Sequence, residues 1–221
     1  MARRSVLGEP TEFDAYGVIT EALILHKSPR NRYTIFPQLF IPWKPKLPNQ
    51  PLDTRGSLPD FTLGRYYINA PHIRLQGGCE VKKATTLMEL LPSTNVVGED
   101  EDVMNLVRAG EYQAEDQAKS AVKSGLLPPN VQLLWLFFIG PYFTVLEFGP
   151  FSAAQLATRG LKPNQSGDFS ESMRIEVAKE RPLDPVKLYL LGTPEAANAL
   201  ENFIETTSIL LPAADPELMH A

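Results

Sequence analysis

Apolar positions recur along this chain with two periods, and the switching between them predicts a mixed α/β protein. From Glu12 to Lys27 the spacing is helical. Phe13, Tyr16, Ile19 or Val18, and Leu23 form a stripe, with Thr11 placed to cap the first turn. Tyr33 to Trp43 is rich in aromatic and β-branched residues and reads as strand, with Pro37 and Pro42 marking bends or an edge. Lys44 to Arg55 has no apolar rhythm and reads as loop. Two strands then flank the turn-prone Asn69-Ala70-Pro71, the first carrying Leu58 to Leu63 and the second Ile73 to Lys82. Gly77-Gly78 in the second predicts a bulge, a kink, or a close approach of another group to bare backbone, with room there for a metal or a phosphate.

Helical spacing returns after the acidic cluster Glu99-Asp100-Glu101-Asp102, whose charge suits a helix N-terminus. A second helical run covers Glu111 to Lys123, with Gln113, Gln117 and Ala121 on one face and Gly125 as the stop. Val131 to Gly140 and Tyr142 to Gly149 are strands around Gly140-Pro141; the first is apolar on both faces, as a central strand is. Further on come a short helix from Phe151, a polar loop over Leu161 to Ser172, an edge strand at Arg174 to Val177, a strand at Val186 to Leu191 and a helix at Pro194 to Thr207. The expected organisation is one domain over residues 1–221. Its core covers about 12–150, a strand and helix extension 151–211, and a frayed tail 212–221.

The chemistry gathers on the two strands around residue 70. Strand period turns Leu58, Asp60 and Thr62 to one side and Pro59, Phe61 and Leu63 to the other. Glu80 and Lys82 are two apart and share a face. Pairing of the strands brings Asp60, Glu80 and Lys82 to one spot, two carboxylates and an ammonium suited to a metal ion and a phosphate. Pro59-Asp60 is the only Pro-Asp pair in the chain, and Glu80-Val81-Lys82 the only acid-x-Lys triplet.

Pro59-Asp60 followed after about twenty residues by Glu80-Val81-Lys82 resembles the signature of the PD-(D/E)XK nuclease superfamily. The resemblance covers the motif and the order of elements from roughly Phe13 to Phe148. It implies a restriction-endonuclease-like core: an α+β fold with a central four- to five-stranded mixed sheet flanked by helices. It further implies a metal-dependent nuclease acting on DNA or RNA, with Asp60, Glu80 and the Val81 carbonyl holding Mg²⁺ or Mn²⁺ and Lys82 as the catalytic lysine. Members of the superfamily often place a Glu on the first helix at the metal, which points to Glu21, or else Glu21 is an ordinary surface residue. The helix after Glu-x-Lys lends a polar residue, for which Gln113 and Gln117 are the candidates, although the Gln-Tyr pattern of the RecB-like branch is missing. Some RNA-cleaving branches add a histidine ligand; His26 occupies that position, or it simply faces the helix C-terminus.

Composition narrows the choices. In 221 residues the net charge is −5, against a protein that coats nucleic acid over its whole surface. Between Lys27 and Lys83, however, ten basic residues face three acidic ones, a net of +7 that leaves −12 on the rest. That field favours a polyanion where the motif lies. The single cysteine, Cys79, excludes an internal disulfide and fits a reducing compartment, and the start Met-Ala-Arg-Arg-Ser has no signal-peptide apolar run, so cytoplasm or nucleus is expected. The apolar stretch Leu133 to Phe148 is interrupted by Gly140-Pro141 and Glu147, so no membrane span is expected. No repeat, glycine-rich phosphate loop or Cys-His zinc spacing is present. Two other readings stand beside the nuclease. One is a catalytically silent module of the same fold that binds nucleic acid, a protein partner or a second copy of itself; the other is a surface ion pair, Glu80 with Lys82, on an α/β domain.

Overall fold

The chain builds its sheet in two hairpin-like halves that meet at one parallel seam. The computed structural model describes residues 12–26, 33–42, 56–67, 73–83, 96–97, 101–157 and 186–211. The expectations for Thr11, the loop 44–55, the turn at Asn69 to Pro71, Glu99 and Asp100, the loop 161–172, the strand 174–177 and the tail from Pro212 lie outside those residues. The elements in order are α1 (Glu12–Leu25), β1 (Thr34–Pro37), β2 (Ile41–Pro42), β3 (Gly56–Ser57), β4 (Phe61–Tyr66), β5 (Ile73–Lys82), β6 (Val96–Val97), α2 (Glu101–Lys123), β7 (Leu133–Ile139), β8 (Tyr142–Phe148), α3 (Ala153–Ala157), β9 (Val186–Lys187), β10 (Tyr189–Leu190) and α4 (Pro194–Ser208).

The main sheet has the order β1-β4-β5-β7-β8-β10. Neighbours are antiparallel except β5 and β7, which run parallel because α2 carries the chain back across the sheet between them. The small pairs β2-β3 and β6-β9 stand apart from this sheet. Six strands are paired where four to five were expected. The additions sit at the edges, where the proline-bearing β1 closes one side and the C-terminal β10 pairs with β8 on the other.

Helices cover both faces. On one side α2 lays Val103, Val107, Ala114, Ala118 and Ala121 against Leu75, Trp135, Phe137 and Ile139. On the other, Ile19 and Leu23 of α1 and Leu200, Phe203 and Ile204 of α4 pack on Phe61, Leu63, Cys79, Val81, Leu136 and Phe138. Each such Val, Leu, Ile or Phe side chain, fully withdrawn from water, contributes about 1.5–3 kcal/mol. The central strand β7 supplies both layers, which is why its sequence is apolar on both faces. The helical stretch read as starting at Glu111 is the second half of one 23-residue helix that begins at Glu101. It ends as expected: Gly125 takes φ 75°, its N–H donates to Val122 O, and the Leu126 N–H donates to Ala121 O.

A bulge sits in β5, one residue before the expected Gly77-Gly78. Leu63 is paired with Gly77 and Gly64 with Leu75, so Gln76 is the extra residue. The extra residue shifts the alternation, allowing Leu75 and Glu80 to face α2 together although their numbers differ by an odd count. The bare backbone at Gly78 does not leave space for a metal or a phosphate. The Trp135 indole lies over it, and a Cβ there would overlap the ring.

Two substitutions separate these roles. Gly78→Ala forces the buried Trp135 to move and is expected to cost about 3 kcal/mol or more in urea denaturation. Gly125→Ala meets open space but keeps a left-handed φ, and is expected to cost about 1 kcal/mol. Equal losses at the two positions would contradict this packing.

Candidate active site

Strand β4 begins one residue too late to continue its ladder with β5. The last registered pair is Phe61 with Cys79, so beyond it the β5 N–H groups on that edge lack a β4 carbonyl. Asp60 supplies the missing acceptor: its Oδ2 receives the Val81 N–H at 2.7 Å. Its other oxygen, Oδ1, accepts from the Tyr16 hydroxyl of α1, and its backbone carbonyl accepts from the Gln38 N–H at 3.0 Å. The side chain is therefore held from two directions and the backbone from a third.

Glu80, 2% exposed, points from β5 toward α2. Its Oε1 accepts from Lys82 Nζ at 2.7 Å and from the Gln113 amide, and its Oε2 accepts from Gln117 Nε2 at 2.6 Å. Gln113 and Gln117 are four apart on α2 and project from the same face. Lys82 is nearer the surface, with 12% of its side chain exposed. Gln117 in turn accepts the Trp135 indole N–H on Oε1 at 3.0 Å. The result is a buried Glu80 paired with one ammonium near the end of β5, with the half-buried Asp60 bonded to the residue between them.

Burial pushes the Glu80 carboxyl up to about 7; the Lys82 ammonium and the Gln117 amide pull against this, and the charge of Asp60 adds to the rise. Burial also raises Asp60, against the opposing pull of Tyr16, the Val81 N–H and Lys82. The Lys82 ammonium acts on both acids, and the charge of Asp60 acts on Glu80.

The candidates named from sequence separate into two groups. Asp60, Glu80, Val81, Lys82, Gln113 and Gln117 come together. Glu21 does not join them. It is exposed on α1 beside Val18, Ile24 and Leu25, themselves 55%, 50% and 75% exposed, while Tyr16, Ile19 and Leu23 face the sheet. The helix is apolar on more than one side, so its spacing did not fix the buried face. His26 lies ten residues beyond Tyr16, about 15 Å along the axis at 1.5 Å per residue. It lines a cavity of about 390 Å³ with Leu25, Leu191, Thr193 and Leu200, away from the acids.

Two participants were missed. By spacing alone Tyr16 belongs to the apolar stripe of α1, and Trp135 to the core of a central strand. A buried indole N–H needs an acceptor, and that requirement was the available signal for Trp135.

The donor set fits a divalent cation. The charge of the half-buried Asp60 adds to the rise at the buried Glu80 carboxyl, a repulsion that a bound cation would relieve, and Gln113 Oε1 is a buried oxygen with no hydrogen-bond partner beside Glu80. Among the described residues no group of three or more Asp, Glu, His or Cys gathers at one point, so further ligands there would be amide or carbonyl oxygens and water.

Fold and site together define a mixed α/β protein with a buried glutamate–lysine pair at its parallel seam and a half-buried aspartate beside it. Comparison of the chain with protein-family models, curated proteins and solved structures finds no match. No helix among the described residues is long and apolar enough to cross a membrane.

The raised Glu80 carboxyl sets a pH dependence. The folded state holds this proton more tightly than the unfolded chain, so stability from this group is greatest below its ordinary value of 4.5 and is lost as pH climbs to about 7. The loss is on the order of 3 kcal/mol. Glu80→Gln is expected to flatten the fall in urea midpoint between pH 5 and 7 in metal-free buffer; parallel curves for the two proteins would contradict the buried charge.

Proposed function

We propose that this protein is a Mg²⁺- or Mn²⁺-dependent phosphodiesterase that cleaves DNA or RNA inside the cell, built on a restriction-endonuclease-like core. The observation that carries the reading is the Lys82 ammonium on the buried Glu80 carboxylate, with Asp60 bonded to the Val81 N–H between those two residues and its charge acting on Glu80. The order of elements supports it as well: α1, then the antiparallel β1, β4 and β5, then α2 crossing to the parallel β7.

Asp60, Glu80, the Val81 carbonyl and Gln113 Oε1 would hold the cation. When bound, it supplies charge neutralisation at a phosphate and lowers the pKa of water. The chain's own groups do the rest. Lys82, anchored on Glu80 Oε1 and partly open to solvent, places a positive charge where negative charge develops on a phosphoryl oxygen. Gln113 and Gln117 orient Glu80, and Tyr16 orients Asp60. The net +7 of the segment from Lys27 to Lys83 draws a polyanion to this part of the chain. A simple surface ion pair does not describe Glu80, which is 2% exposed.

A second reading, a silent module that binds nucleic acid or a protein, draws on one observation. Every oxygen of both carboxylates already receives a protein donor.

The readings diverge in a cleavage panel of single- and double-stranded DNA and RNA with Mn²⁺ or Mg²⁺. For the enzyme, the cation raises Tm, and Asp60→Asn and Lys82→Ala each lower cleavage about 100-fold or more while the variants stay folded by circular dichroism. Nucleic-acid binding without cleavage, unchanged by the cation and by both substitutions, would identify the module instead.

A further inference from the structure

Gln117 stands between a group that can only donate and a group that accepts. The Trp135 indole N–H has no acceptor capacity, so the amide oxygen must face it; the ionised Glu80 carboxylate has no donor, so the amide nitrogen must face that. Both requirements select the same orientation of the amide. Rotating it by half a turn would lose the 3.0 Å and the 2.6 Å hydrogen bonds together and set oxygen against oxygen at Glu80. Gln117 is 2% exposed and Trp135 is fully buried, so water does not compete for either bond. Trp135 is itself fixed, because its ring occupies the place of the missing side chain at Gly78, two residues before Glu80 on the same strand.

We propose that Trp135 is a positioning residue for the site: its indole N–H holds the Gln117 amide in the one orientation that presents an N–H to Glu80 Oε2. The chain of contacts runs from the Gly78 backbone through Trp135 and Gln117 back to Glu80, and it crosses from β5 to β7 to α2 and returns. It closes a loop through three elements. One carboxylate oxygen is thereby fixed from behind, while the other meets Lys82 and Gln113. The inference rests on the reading of Asp60, Glu80 and Lys82 as a working metal site, and its test keeps the two separable.

In the full-length protein, Mn²⁺ affinity is measured by calorimetry for wild type, Trp135→Phe, Gln117→Met and the double variant. Trp135→Phe keeps a ring beside Gly78 but removes the donor. Partners behind a ligand typically contribute 10- to 100-fold in metal affinity, so each single substitution is expected to weaken binding about tenfold. The double variant should be no weaker than Gln117→Met, since Trp135 acts through Gln117. Losses that multiply would overturn the proposal. A second arm needs neither metal nor turnover. The chain has two tryptophans, Trp43 and Trp135, so the indole ¹⁵N–H signal that vanishes in Trp135→Phe is assigned at once. In Glu80→Gln that signal is expected to move upfield as the intervening amide loses its charged acceptor. An unmoved Trp135 signal would overturn the relay. If wild type binds no Mn²⁺, the metal reading fails and the indole signal alone decides the relay.

Discussion

A negative charge out of reach of water has to be surrounded by donors, and Glu80 organises the centre of this protein for that reason. Its donors come from β5 through Lys82 and from α2 through Gln113 and Gln117, with β7 contributing Trp135 behind them. The apolar face of α2 attaches the helix to the sheet, but apolar contact tolerates sliding. Hydrogen bonds of 2.6 to 3.0 Å do not, and they set the register of the helix against the strands.

That arrangement is a costly way to join a helix to a sheet. Burying an ion pair costs several kcal/mol per ion before any attraction is counted, and apolar residues of like volume commonly do as well or better. The neighbouring carboxyl of Asp60 increases the cost, since its charge adds to the rise at Glu80. The repulsion between the Asp60 charge and a Glu80 carboxylate out of water is one that the proposed cation would release. That cost, more than the letters of the motif, is the physical ground of the proposed metal chemistry.

The strands meet this requirement through their ends. Because β4 starts at Phe61, the Val81 N–H is left for a side chain, and Asp60 is the next residue back. Because β5 carries an extra residue at Gln76, its apolar N-terminal half and its charged C-terminal half both face α2. Neither irregularity is a defect of pairing. Each turns a regular ladder into one that ends in a polar cluster.

Strand period placed Glu80 and Lys82 on one face, and strand pairing brought Asp60 to the Val81 N–H between them; these relations are local to one strand or one neighbouring strand pair. Gly125 and the two strands around Gly140-Pro141 were legible on the same grounds. What the chain alone left open depends on contacts between distant segments. The buried side of α1 was decided by the sheet, since the helix offers apolar residues on more than one face, and that choice exposed Glu21 and brought Tyr16 inward. The room beside Gly78 was decided by Trp135, 57 positions later in the sequence. Sequence spacing determines which residues of one segment can act together; only packing decides which neighbour from another segment occupies the space between them.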